Sequence, residues 1–244
     1  MPISLTQLAF EQAHEPQRFQ DLVFAEPLVR EQLQGYANRS CWNHLLLHGS
    51  YAVGKSIAAR VIVQERLGTT ESGVVLPVAL HQMDYQVPQW SEWMTWPLFA
   101  QRTAQLQVPA YVIIDEIDHL STARQRQLRA AMDEMRDRVR LILTTNNVDQ
   151  IDGGVRDRCD VFDMLKPQAQ HWLPRAQAIL QAEQVHRADS AVLNVLAQCR
   201  DGRDVMRALW SLIVHVRGTA LAPVVPLTRG SLPAAAPPAL PATP

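Results

Sequence analysis

Apolar residues fall along this chain in two rhythms. Four short unbroken runs, NHLLLH (43–48), VVLPVAL (74–80), AYVII (110–114) and VRLILT (139–144), have the length and composition of strands buried on both faces. Pro77 points the second run to a sheet edge. Between the runs the period changes to that of a helix. Helices are predicted from about Pro27 to Ala37, over residues 55–67 with a stop near Gly68, and from Ser121 to about Asp137. The last carries the stripe Leu128, Ala131, Met132 and Met135. Strands alternating with helices predict a parallel α/β sheet. From 168 to 217 the rhythm is helical throughout, with Leu193, Val195 and Leu196, then Val205, Leu209, Leu212 and Ile213, marking at least two helices. The expected layout is an α/β domain over 1–165, a small all-helical domain over 166–220 and a tail over 221–244. Seven of the 16 prolines lie in that tail, which predicts a disordered or polyproline-like segment. Trp90, Trp93 and Trp96 share a spacing of three within residues 83–107, read as packing or capping rather than as a binding surface.

Composition narrows the picture. With 244 residues and 47% hydrophobic content the chain can bury a sizeable core. Cys41, Cys159 and Cys199 are too few and scattered for a disulfide framework or a four-ligand zinc site, and fit a reducing, cytoplasmic setting. No apolar run reaches 18 residues and the N-terminus has no signal pattern, so no membrane association is expected. The net charge of −1 argues against an overall electrostatic grip on nucleic acid. Of the 23 basic residues only Lys55 and Lys166 are lysines. A lysine kept in so Arg-biased a chain raises the question of what arginine could not do there.

Lys55 answers it. Gly49-Ser50-Tyr51-Ala52-Val53-Gly54-Lys55-Ser56 matches the phosphate-binding pattern G-x-x-x-x-G-K-[ST], between a predicted strand and a predicted helix. Such a loop turns backbone N–H groups onto phosphate oxygens at a helix N-terminus. Lys55 is placed to reach β and γ phosphates as a compact charge, and Ser56 to ligate Mg²⁺. The fold class expected is therefore an α/β P-loop NTPase with a helical domain after it.

AYVIIDEID puts Asp115 and Glu116 at the carboxyl end of a strand, the ligand edge of a parallel sheet. Asp115 is placed to hold Mg²⁺ through water, and Glu116 to orient and deprotonate an attacking water. Asp118 is read as a residue of the helix start or surface. LILTTNN ends the next strand in amides and hydroxyls that can position water or sense a γ-phosphate.

Taken together these residues resemble AAA+ ATPases, specifically the ATPase subunits of sliding-clamp loaders, over roughly residues 14–214. The most specific stretch is DEIDHLSTARQRQLRAAMDEMRDRVRLILTTNN, in which Gln125, Leu128, Arg129, Met132 and Asp133 fit the family pattern Q-x-x-L-R-x-x-M-[DE]. The resemblance implies that Leu22, Val23 and Phe24 border the adenine and that Asn146 is the sensor 1 residue. In GGVRDRCDVF it puts an arginine finger, acting in a neighbouring subunit's site, on Arg158, with Arg156 as the fallback because Asp157 replaces the family's serine. Residues 166–217 are similar to the family's lid; G-R-D-V-M-R-A-L departs from its sensor 2 pattern, leaving Arg207 favoured over Arg203. The family's all-helical collar has no counterpart in the sequence, so a departure from the standard clamp-loader subunit is expected.

The implied cofactors are ATP and Mg²⁺, and the implied partners are identical or related AAA+ subunits and a protein client of DNA metabolism. Direct DNA contact rests on a local patch of Arg124, Arg126 and Arg129, equally readable as a solvated face. Three readings stay open. One is an ATP-hydrolysing oligomer that loads or remodels a replication or recombination partner. Another is an ATP-gated assembly switch of the helicase-loader or transposition-regulator type, with hydrolysis for release. The third, a nucleotide kinase, is disfavoured by the acidic pair and the finger-like element.

Overall fold

Strands buried on both faces must divide their side chains between two layers, and this sheet does so residue by residue. A computed structural model of the chain describes residues 7–68, 110–134, 136 and 139–221. The strands are β1 (His44–His48), β2 (Ala110–Ile114), β3 (Val139–Thr145) and β4 (Cys159–Asp163), in the order β2-β3-β1-β4 and parallel throughout. Ile142 of β3 sits opposite Leu45 on one side and Ile113 on the other. Leu45, Leu47, Tyr111, Ile113 and Ile142 face one core, shared with α2 (Pro27–Ala37) and α3 (Lys55–Leu67). Leu46, Val112, Ile114, Leu141 and Leu143 face the other, shared with α4 (Thr122–Glu134). That two-sided burial is why the strand runs carry no polar alternation.

β4 is a strand that apolar runs do not reveal. It reads CDVFD, pairs among the described residues with β1 alone and leaves Val161 42% exposed. An edge strand buries too little to need an apolar sequence. Asp160 on it accepts hydrogen bonds from the Tyr36 hydroxyl and the Asn43 amide. The run at 74–80, the Trp segment at 83–107 and the tail beyond Leu221 lie outside the described residues, as do Met135 and Asp137 at the expected end of α4.

A short helix α5 (Gly153–Arg156) links β3 to β4, and three helices follow: α6 (Ala169–Ala182), α7 (Asp189–Leu196) and α8 (Gly202–Leu221). Their core contains Ile179, Leu180, Val192, Leu196, Val205, Leu209 and Ile213. Phe10, from the N-terminal helix α1 (Gln7–Ala13), is buried in this same cluster. Packing thus joins α1 to the three helices that end the described chain. No described helix is long and apolar enough to cross a membrane.

Candidate active site

β1 ends in a tight loop because Gly49 permits it. A Cβ there would lie 2.5 Å from the Met164 carbonyl oxygen, and its φ of 135° disfavours other residues. Gly54 has φ 97° and caps the start of α3; a Cβ on it would meet no described atom within 4 Å, so its left-handed backbone rather than crowding is what calls for glycine. Ala52 holds φ 59°, a left-handed conformation that costs an L-residue about 1 kcal/mol. Val53 anchors the loop in the core, Tyr51 is 72% exposed, Ser50 is exposed and Ser56 is half-buried. The Lys55 ammonium is buried and donates to the carbonyls of Gly49 and Ser50, 2.8 Å each, and to Asn146 Oδ1 at 2.9 Å. Burial lowers its pKa; the carboxylates of Asp118, Glu116 and Asp115 oppose that shift, Asp118 most.

At the next strand ends one hydroxyl joins the acidic pair to β3. Thr144 Oγ1 donates to Asp115 Oδ1 at 2.8 Å and accepts from the Glu116 N–H at 3.1 Å. Glu116 is left-handed (φ 54°), and its carboxylate is half-exposed, 3.7 Å from His119 Nε2. Asp118 is half-buried, yet its Oδ1 is fully covered and has no hydrogen-bond partner among the described residues. Ser56 after the phosphate loop and Asp115 at the end of β2 supply hard oxygens, the donor type that suits Mg²⁺. Among the described residues no cluster of three or more His, Cys, Asp or Glu could hold a metal by itself.

Further out, Gln125 is buried on α4. Its amide donates to the carbonyls of Leu120 (3.2 Å) and Gln150 (3.1 Å), and its oxygen accepts from Asp152 N–H at 2.6 Å. Asp152 caps α5 through Gly154 N–H. Arg158, after α5, forms a two-pronged pair with Asp133: Nε to Oδ1 and Nη2 to Oδ2, both 2.7 Å. Arg156 is half-buried and Arg129 lies against Gly154, 3.7 Å from Asp152. Leu22 shares a core with Val53, while Val23 and Phe24 are half-buried, Phe24 stacked on Phe19. The helical domain meets the phosphate loop where α8 begins: a Cβ on Gly202 would lie 3.2 Å from the Trp172 ring and 4.0 Å from the Ala52 oxygen. Arg203 follows directly and is exposed; Arg207 lies further along α8, 3.6 Å from Asp204 of the same helix.

Residues 45–166, half of the chain, match the family described as ATPase family associated with various cellular activities (AAA). The chain belongs to the AAA ATPase family. It is similar to the replication factor C small subunit of Halobacterium salinarum, 25% identical over 202 residues covering 82% of this chain and 60% of that relative. A second such subunit, from Natronomonas pharaonis, is 30% identical over 150 residues, 61% of this chain and 45% of the relative. The AAA chain thus spans less than two thirds of the length of these relatives. In fold it is similar to domain III of the Thermotoga maritima replication initiation protein DnaA, with a TM-score of 0.59 at 15% identity over 84% of this chain and 90% of that one. Within this AAA site, motif reading picks out Lys55, Asp115 and Glu116, and the clamp-loader resemblance picks out Asn146. Neither singles out Thr144, one of several polar residues at that strand end, or Asp118, which reads as a residue of the helix start or surface.

Proposed function

We propose that this AAA protein hydrolyses ATP as one subunit of an oligomer and uses the cycle to load or remodel a protein of DNA replication or recombination. The observation that carries the reading is the meeting of Lys55 Nζ with Asn146 Oδ1 at 2.9 Å, beside a carboxylate pair braced by Thr144. A cation for phosphate, an amide to sense it and a carboxylate to activate water converge at one sheet edge.

In this reading the loop N–H groups and Lys55 bind the β and γ phosphates, and Asn146 exchanges its hold on Lys55 for the γ-phosphate or the attacking water. Glu116 accepts the proton of that water; its exposed carboxylate has the access this needs. Ser56 directly and Asp115 through water would hold Mg²⁺, and the ion would neutralise charge on the phosphate oxygens. Leu22, Val23 and Phe24 border the base, Arg158 serves a neighbouring subunit's site, and Arg207 reads the nucleotide from the lid. The likeness to replication factor C small subunits supports the client class and assembly with related subunits. Contact with DNA would fall on the patch of Arg124, Arg126 and Arg129 on α4.

The test compares wild type with Lys55→Ala and Glu116→Gln in nucleotide binding, turnover and mass with an ATP analogue and Mg²⁺. Lys55→Ala should lose binding. Glu116→Gln should keep binding and lose turnover by about 10²-fold or more. Wild-type turnover that survives Lys55→Ala overturns the site. Nucleotide-dependent assembly without turnover, with or without DNA, overturns the hydrolytic reading in favour of the ATP-gated switch.

A further inference from the structure

Resting on the reading of Arg158 as a finger, we infer that Asp133 on α4 is the residue that positions it for the neighbouring subunit's nucleotide. A flexible arginine on a surface loses side-chain entropy when it must meet a phosphate in one geometry. Here the loss is taken within the subunit. The Asp133 carboxylate holds the side edge of the guanidinium, with Nε and Nη2 each 2.7 Å from an oxygen. The Gly154 carbonyl accepts from Nη1 at 2.6 Å. Three of the five guanidinium N–H groups are used in this way, and among the described residues one on each terminal nitrogen has no hydrogen-bond partner and can serve a phosphate.

The surroundings agree. The Arg158 side chain is 32% exposed, and with Asp133 it lines an open groove of about 400 Å³ together with Trp42, Arg136 and Asp157. The mutual hydrogen bonds hold the Asp133 pKa below its ordinary value and raise that of Arg158, so both stay charged across the physiological range. Gly154 is fixed in turn by Asp152, whose own N–H is held by Gln125, so the clamp is built on the same helix that follows the acidic strand end. Asp133 thus ties the finger on one side of the subunit to the helix leaving that subunit's own hydrolytic residues.

The experiment measures steady-state ATPase of the assembled oligomer for wild type, Asp133→Asn, Asp133→Glu, Arg158→Ala and the Asp133→Asn/Arg158→Ala pair, with nucleotide affinity and thermal midpoint recorded for each. Asp133→Asn keeps the shape but weakens the two-pronged hold. It should lower kcat about tenfold with KM, nucleotide affinity and melting unchanged. Asp133→Glu should restore most of the loss, and the double variant should turn over no more slowly than Arg158→Ala alone. Wild-type kcat in Asp133→Asn beside an impaired Arg158→Ala overturns the inference and leaves the finger standing. So does a double variant whose losses add. Wild-type kcat in Arg158→Ala overturns the finger and, with it, the role of Asp133.

Discussion

His44 opens β1 with 8% exposure, and its Nδ1 accepts the Leu141 N–H at 3.0 Å, which puts the ring proton on Nε2. Burial, then the charge of Arg140, lowers its pKa from 6.5 to about 4, against a pull from Asp133. Between those values the unfolded chain binds the proton and the folded one does not. Stability from this group is therefore complete above about pH 6.5 and lost as pH falls toward 4, by about 3 kcal/mol in all. Urea unfolding across that window should show wild type losing about 3 kcal/mol more than His44→Asn, whose amide oxygen can accept the same N–H. Parallel curves would refute the assignment. Residues of this kind mark the limit of what a sequence displays. Lys55 and Glu116 are legible because each stands in a short pattern whose spacing the chemistry dictates. Thr144, Asp118 and His44 act through strands and turns brought together from distant positions, as when Thr144 reaches Asp115 and Glu116, and no local spacing records that.

Among the elements, α4 shows most clearly which part of a helix a hydrophobic pattern reports. Leu128 and Met132 are buried as the stripe requires, but the turn before them buries Gln125 at 4% exposure. A polar residue inside a core is invisible to hydrophobic periodicity, and so is an edge strand such as β4, whose residues are only half covered. Central strands and amphipathic helices are legible because burial forces their composition. Gln125 joins α4 to the Gln150–Asp152 segment through two hydrogen bonds and holds the Leu120 carbonyl with a third, and that segment leads into the cap of α5 and on to Arg158. Gln125→Leu leaves a buried N–H and two carbonyls unmatched and should cost about 2–4 kcal/mol in chemical denaturation. Arg126→Leu, on the exposed face next to it, should stay within about 0.5 kcal/mol. Equal effects of the two substitutions would show that Gln125 carries no such load.

Across the whole molecule the N-terminal segment is the strut between the two domains, a role its sequence does not display because its buried residues belong to different cores. Phe10 is fully buried among helical-domain residues, 5.3 Å from the Trp210 ring, whereas Phe19, nine positions on, is fully buried beside α3 and the sheet. Polar ties reinforce both ends. His14 meets Glu183 at 2.7 Å, and Glu183 is also held by Arg217 at 2.7 Å; Arg175 on α6 reaches Asp21 at 2.8 Å and the His14 carbonyl at 3.0 Å. On the other side Glu15 pairs with Arg60, and Glu65 accepts the Phe19 N–H at 2.6 Å. Removing the first anchor should therefore loosen one domain before the other. Phe10→Ala takes away an aromatic ring and leaves a cavity in a small core, a loss of about 3–5 kcal/mol. In native-state hydrogen exchange the amides of α6, α7 and α8 should lose protection by that amount, while those of β1 and β3 keep theirs, because Phe19 and the sheet cores are untouched. Since Gly202 of α8 lies against Ala52 of the phosphate loop, ATP analogue with Mg²⁺ should return part of the lost protection to the start of α8. Acceleration spread evenly over sheet and helices would mean that the two domains open as a single unit and that the strut separates nothing.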